Sequence, residues 1–254
     1  MSRPVTPQDV DIATVGALVR DLRTPVIVAT HRNPDGDAIG SLLAMARLLR
    51  DRDLDVVMWH PDEPAVPLEL AFMLQAGETI VHRLPPDAAA RTMFALDCAS
   101  AARLSHDIAI GQLAGRVVNI DHHHDNGRFG DLNLIDAGKS STAELLLAVI
   151  DAAGLPLTRH VAEPLHVGIV TDTGRMSYSN TTPATLRADA RLIETGVDVA
   201  ATARALYENA EFARIRLTGL ALGRAQTLLG GRLVVSILHE DDFVEAGTTD
   251  ADGI

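Results

Sequence analysis

Three short apolar runs in this chain each stop on a side chain that can bind a metal or a proton. Val26-Ile27-Val28-Ala29-Thr30 runs into His31, and Met93-Phe94-Ala95-Leu96 runs into Asp97. Arg116-Val117-Val118-Asn119-Ile120 runs into Asp121-His122-His123-His124. Apolar runs of this kind predict strands buried on both faces, as in parallel sheets. Helical patterns lie between them. Ala38 to about Arg50 carries Ile39, Leu42, Leu43, Ala46 and Leu49 on one side, and residues 9–22 place Val10, Val15, Leu18, Val19 and Leu22 likewise. Strands alternating with helices at this spacing imply βαβ units. The expected fold class is α/β, a mostly parallel sheet with helices on both faces.

The alternation continues. Asp55 to Trp59 reads as a strand, residues 131–135 as another, and Ser141-Thr142-Ala143-Glu144 as a helix start. A helix over 158–170 ends at Thr171-Asp172-Thr173-Gly174, and two more polar helices follow near 183–196 and 198–208. Residues 211–229 read as one long helix, and Arg232 to Leu238 as a strand after it. The expected organisation is a first domain over 1–210, a connector helix over 211–230, and the start of an incomplete second domain over 231–254.

Bulk properties narrow the function. A net charge of −12 argues against a broad grip on duplex DNA, which needs clustered Lys and Arg. It leaves room for a small phosphorylated substrate, since bound cations reverse the local sign. The single cysteine, Cys98, allows no internal disulfide and no cysteine-based zinc ribbon. The polar first twenty residues do not read as a signal peptide, and no run approaches a membrane span. A cytoplasmic protein without membrane partners is expected.

In a parallel sheet, ligands gather where strands end and helices begin. His31, Asp97 and Asp121-His122-His123 all fall at such ends, Asp35 and Asp37 share the loop of His31, and Asp172 comes from a separate loop. Four carboxylates, Asp35, Asp37, Asp97 and Asp172, would repel one another in one pocket. Two divalent cations balance them. With His31 and His122, such a donor set suits Mn2+, or alternatively Mg2+. Ser141 and Thr142, at a helix N-terminus, are placed to meet a phosphate. Gly138-Lys139-Ser140 is not a phosphate-binding loop, because Asn133 stands where its first glycine is required. His60, His82, His106, His124, His160, His166 and His239 read as ordinary loop or core residues.

These segments resemble the DHH phosphoesterase superfamily. His31 to Ser41 resembles its first motif, Asp97 its second, Asp121-His122-His123-His124-Asp125-Asn126 the motif that names it, and Thr171-Asp172-Thr173-Gly174 the fourth. The likeness covers roughly residues 20–215 and is nearest to the nanoRNase, or oligoribonuclease/pAp phosphatase, group. Actinobacterial relatives of that group act on cyclic dinucleotides. The resemblance implies that His31, Asp35 and Asp97 hold one cation and that Asp37, Asp97, His122 and Asp172 hold the other, with Asp97 bridging. It implies that Asp121 orients His122 and that His123 faces the substrate phosphate as acid or charge stabiliser. Arg103, Ser141 and Asn180 would contact the phosphate or nucleotide. The implied activity is metal-dependent hydrolysis of short oligonucleotides, linear or cyclic dinucleotides, or 3′-phosphoadenosine 5′-phosphate (pAp) to nucleoside monophosphates, by a homodimer. The alternatives are an inorganic pyrophosphatase or exopolyphosphatase, or a nucleotide-binding protein without turnover. Family members usually add a smaller DHH-associated domain with a Gly-Gly-Gly-His segment, and Gly230-Gly231-Arg232 departs from that pattern.

Overall fold

The apolar runs become adjacent strands of one sheet. The structure is a computed structural model that describes residues 3–63, 65–209 and 212–248. Its elements run β1 (Gln8–Asp9), α1 (Ile12–Asp21), β2 (Val26–Thr30), α2 (Gly36–Arg50), β3 (Val56–Trp59), β4 (Ile80–Val81) and β5 (Thr92–Leu96). Next come α3 (Ala101–Leu104), α4 (Ile110–Leu113), β6 (Arg116–Asp121), β7 (Leu132–Ile135), α5 (Thr142–Ala153), α6 (Arg159–Asp172), α7 (Pro183–Glu194) and α8 (Val199–Tyr207). Among the described residues seven strands form one sheet in the order β1-β7-β6-β5-β2-β3-β4, and every pairing is parallel. The strand order reverses between β2 and β5. Such a switch point opens a crevice at the carboxyl ends of the strands.

Both faces of the sheet are covered. Ile27, Ala29, Met93, Ala95 and Val117, alternating along their strands, pack on one face with Leu104 and Leu113 from α3 and α4. On the other, α2 lies against β2, β3 and β5, and α5 against β6. Helices α2 and α6 approach closely at two glycines. A Cβ on Gly40 would sit 2.3 Å from the Pro164 carbonyl oxygen, and one on Gly168 would sit 2.7 Å from both Ala143 Cβ and Asp37 Oδ1. This contact brings the end of α6 to the start of α2.

The chain divides into two compact units after Thr202. The expected 211–230 connector does not form as one helix. Helix α9 covers Phe212–Gly223, and Gln226–Leu228 (β8) then pairs antiparallel with Leu233–Val235 (β9). Leu229, Gly230 and Gly231 adopt positive φ between the two strands, a turn conformation that no helix can include. Gly223 ends the helix, and the predicted lone strand thereby finds its partner within the chain. Helix α10 (Glu240–Ala246) follows, with Asp242 paired to Arg224. Residues 210, 211 and 249–254 of the expected domain limits lie outside the described residues. No helix among the described residues is long and apolar enough to cross a membrane.

Candidate metal centre

Strand register assembles the first donors. Thr30 pairs with Leu96 and Leu96 with Ile120. The next residue on each strand is His31, Asp97 and Asp121, so these three stand in a row along the carboxyl edge of the sheet, at the switch point. Asp97 leaves β5 with φ +54°, a left-handed conformation unusual for any residue but glycine and costing on the order of 1–3 kcal/mol. Its buried carboxylate lies 3.5 Å from His31 Nε2, 3.6 Å from both His122 Nε2 and His123 Nδ1, and accepts the Thr142 hydroxyl at 3.0 Å.

The loop after β2 adds its own pair of acids. Asp35 caps α2: its Oδ1 accepts the N–H groups of Asp37 and Ala38, both at 3.0 Å. Asp37, in the first turn, is completely enclosed. It accepts the N–H of Thr142 at 2.6 Å and of Ala143 at 2.9 Å, backbone donors in the first turn of α5 that have no partner within the helix. Asp172 arrives as the last residue of α6, not from a separate loop, with Oδ2 3.4 Å from His122 Nε2.

Three sets of ligand atoms lie within 4.8 Å of one another: His31, Asp35 and Asp97; Asp37, His122 and Asp172; and Asp97, Asp121, His122 and His123. The first holds the same residues as one implied set, and the second holds three of the four residues of the other, without Asp97, which lies against both His31 and His122. His31 supplies a direct test of fit. Its Nδ1 lies 2.8 Å from the Arg32 carbonyl oxygen, and its Nε2 points at Asp97 Oδ2 from 3.5 Å. That nitrogen is buried and has no hydrogen-bond partner. An enclosed, unpartnered imidazole nitrogen facing a carboxylate is the donor geometry a divalent cation requires.

Electrostatics agree with that fit. Burial, followed by the charges of Asp97, Asp172 and Asp35, holds the Asp37 carboxyl well above the ordinary range, against the opposing Ala143 N–H. Burial, and next the repulsion of Asp97 and Asp35, offsets His122 and lifts Asp172 to about 6. Asp97 moves the other way: burial would raise it, but His31, His122 and His123 together lower it. Burial opposes charge on His31, yet Asp97 and the Arg32 carbonyl raise its pKa overall. Without cations, the pocket holds carboxylates that resist ionising together.

Several expected roles change in the structure. Asp121 makes no hydrogen bond to the His122 ring. Its fully buried carboxylate accepts the His122 backbone N–H at 2.9 Å and orients His123 instead, through Nδ1 at 2.8 Å. That bond, ahead of the cost of burial, lifts the His123 pKa to about 9. Ser141 is fully buried, and its hydroxyl caps α5 by accepting the Glu144 N–H at 3.0 Å, so it does not face a substrate. The anion at this helix N-terminus is the Asp37 carboxylate, not a phosphate. Asn180 gives both amide protons to carbonyls, of Ser140 at 3.0 Å and of Asp172 at 3.1 Å, and so ties the end of α6 to the loop before α5. Arg103 is exposed beside the centre, with Nη2 3.0 Å from His31 Nδ1. His124 is exposed and joins none of the three donor sets.

Sequence reasoning missed two supports. Asn126 donates to Asp121 Oδ2 at 2.6 Å and to Asn119 Oδ1 at 2.9 Å, steadying the carboxylate that orients His123. The Thr142 hydroxyl on Asp97 joins α5 to β5. Asn126 stood in the naming motif and Thr142 at a helix start, but neither position signals which group its side chain holds.

Residues 25–169 match the model of the DHH family, N-terminal domain. The chain is 36% identical over 244 residues to the bifunctional oligoribonuclease and PAP phosphatase NrnA of Thermus thermophilus, covering 94% of this chain and 71% of that protein. It is 26% identical to the protein of the same description from Bacillus subtilis, over 88% of this chain and 69% of the relative. An exopolyphosphatase-related protein of Bacteroides fragilis shares the fold, with a TM-score of 0.85 at 23% identity over 95% of this chain and 73% of that one. With the family motifs collected at one sheet edge and the domain model matched across β2 to α6, this chain belongs to the DHH family.

Proposed function

We propose that this chain is a divalent-cation-dependent phosphoesterase that hydrolyses short oligonucleotides, linear or cyclic dinucleotides and pAp to nucleoside monophosphates. One observation carries the reading: donors from four separate elements converge on the switch point, in a chain 36% identical to an oligoribonuclease and PAP phosphatase. His31, Asp35 and Asp97 would hold one cation, and Asp37, His122 and Asp172 with Asp97 the other. Mn2+ suits this mixed carboxylate and imidazole set, with Mg2+ as the alternative. Bound there, the cations supply positive charge for the phosphoryl oxygens and acidify water enough to make a nucleophile near neutral pH.

The chain's own residues do the rest. Asp97 is held by Thr142, and Asp37 by the α5 amides, so the donors are set before any substrate arrives. Asp121 and Asn126 fix the His123 ring with Nδ1 engaged, leaving Nε2 to meet the substrate. Hydrolysis adds water oxygen to phosphorus and breaks the P–O ester bond, and the leaving oxygen needs a proton. His123 is placed to give it or to neutralise the charge that builds there. Residues 231–254 are read as the start of the substrate-gripping DHH-associated domain, within the compact unit that begins at Ala203.

The test is a hydrolysis panel with Mn2+: pAp, pApA, cyclic di-AMP and pyrophosphate. Release of AMP from pAp or pApA well ahead of phosphate from pyrophosphate is expected. Pyrophosphate turned over fastest would assign the inorganic pyrophosphatase reading instead. Tight nucleotide binding with no product under saturating Mn2+ would assign a binding protein.

A further inference from the structure

Next to His31 lies an open cleft of about 440 Å3 lined by Arg32, Asn33, Ala102, Arg103 and His106. None of the candidate cation ligands lines it. A main-chain bond sets its two arginines side by side: the Arg32 N–H donates to the Arg103 carbonyl at 2.9 Å. Arg103 Nη2 reaches within 3.0 Å of His31 Nδ1, which puts the cleft beside the centre.

Arg32 is braced from below. Its Nε donates to Asp62 at 2.7 Å, and the Asp62 N–H donates to buried His60 Nδ1 at 3.2 Å. His60 Nε2 in turn donates to the His31 carbonyl at 3.1 Å. This chain of bonds engages only Nε, so among the described residues the two terminal nitrogens of Arg32 have no hydrogen-bond partner. Asp62 and Asp107 face Arg32, yet neither lines the cleft. In a chain of net charge −12, two guanidinium groups and an imidazole gathered in one concavity stand out against the rest of the molecule. A guanidinium fork matches the geometry of phosphate, and bracing at Nε fixes its direction in advance.

We propose that this cleft is a subsite for a second phosphate of a nucleotide substrate, the one that is not hydrolysed, gripped by Arg32 and Arg103 with His106 beside them. The proposal rests on the phosphoesterase reading of the neighbouring centre. An open cleft of this size admits a nucleotide-sized group. The preferred ligand therefore carries phosphates on two sides of one nucleoside, as pAp does, or is a dinucleotide with a 5′-phosphate. A nucleoside monophosphate engages one place only, so product leaves more readily than substrate.

The test is calorimetric titration of the Ca2+-loaded protein with pAp and with AMP, the ligands being checked afterwards for turnover. One charge-assisted fork should make pAp bind about tenfold or more tighter than AMP. In Arg32→Gln and in Arg103→Gln that ratio should fall towards one. Both side chains reach solvent, and unchanged thermal midpoints would show that the fold is intact. A ratio near one in the unaltered protein, or a ratio that neither substitution moves, overturns the subsite. Release of AMP from pAp with Mn2+, followed in parallel on the unaltered protein, reports on the phosphoesterase reading separately. No release with the binding ratio intact would sink that reading and leave the subsite standing.

Discussion

The Asp37 carboxylate closes the N-terminus of the helix that begins at Thr142, accepting the Thr142 N–H at 2.6 Å across 105 residues of chain. Helix N-termini favour anions through their free N–H groups and the helix dipole. Here the anion is one of the candidate cation ligands, so α5 helps to keep a completely buried carboxylate in place. Asp37→Ala should strand the Thr142 and Ala143 donors, at a cost of about 1–3 kcal/mol. Calorimetry should also show one fewer Mn2+ site. Unchanged stoichiometry would contradict the assignment.

Asp97 touches both donor sets. Asp97→Ala should therefore disturb both cations and remove most Mn2+-dependent hydrolysis of pAp. Full activity in the variant would dismiss the bridging role.

Gly168 is where α6 meets Asp37 and Ala143. A methyl group there would lie 2.7 Å from Asp37 Oδ1 and from Ala143 Cβ. Gly168→Ala should destabilise by about 1–3 kcal/mol, the usual range for overpacking. It should also weaken Mn2+ binding by displacing a ligand it never coordinates. Thermal melts with and without Mn2+ separate the two effects.

The buried Asp121 and the His123 ring form a pair at 2.8 Å. In Asp121→Asn the ring loses its charged partner, so the His123 pKa should fall from about 9 towards that of an ordinary imidazole. NMR titration of the cation-free protein reads this directly. The rate with pAp should drop on the order of 10²–10⁴-fold, the scale of general acid catalysis. A rate unchanged over pH 6–8 would remove His123 from the chemistry.

Acid carboxyls held protonated by burial give the cation-free protein an inverted pH response. The Asp172 pKa rises from 3.8 to about 6 on folding, so between those values the folded chain holds a proton that the unfolded chain has released. Stability from this group is complete below 3.8 and is lost as pH rises through about 6. Asp37 shifts in the same direction. His123 adds stability below its ordinary 6.5 that is lost as pH rises through about 9. In EDTA the thermal midpoint should therefore be lower at pH 7 than at pH 5. Added Mn2+ should reverse the trend, since cation binding draws on ionised carboxylates. A cation-free midpoint that climbs across this window would contradict the assignment.

How much of this was legible beforehand differs element by element. The β2, β5 and β6 runs announced themselves, because a strand buried on both faces has to be apolar along its length. The residues that follow them, His31, Asp97 and Asp121, were visible as a set for the same reason. The hairpin of β8 and β9 was not. Leu222 to Leu229 is as compatible with a helix as with a strand, and only the positive φ of Leu229, Gly230 and Gly231 resolves the choice. Strand β1 consists of two residues and is recognisable only by its pairing with β7.

By itself the sequence determined the strand runs, the residue types at their ends and, through them, a parallel sheet with candidate cation ligands along one edge. These follow from local properties: apolar periodicity, and a register that carries each strand end to the same margin. Tertiary structure alone decided that Asp121 serves His123, that α5 holds Asp37, that Ser141 is a buried cap, and that Arg32 and Arg103 share a cleft. The reason is physical. A hydrogen-bond partner is chosen by which groups packing brings within about 3 Å, and for Asp37 and Thr142 that choice spans 105 positions over which no local pattern extends.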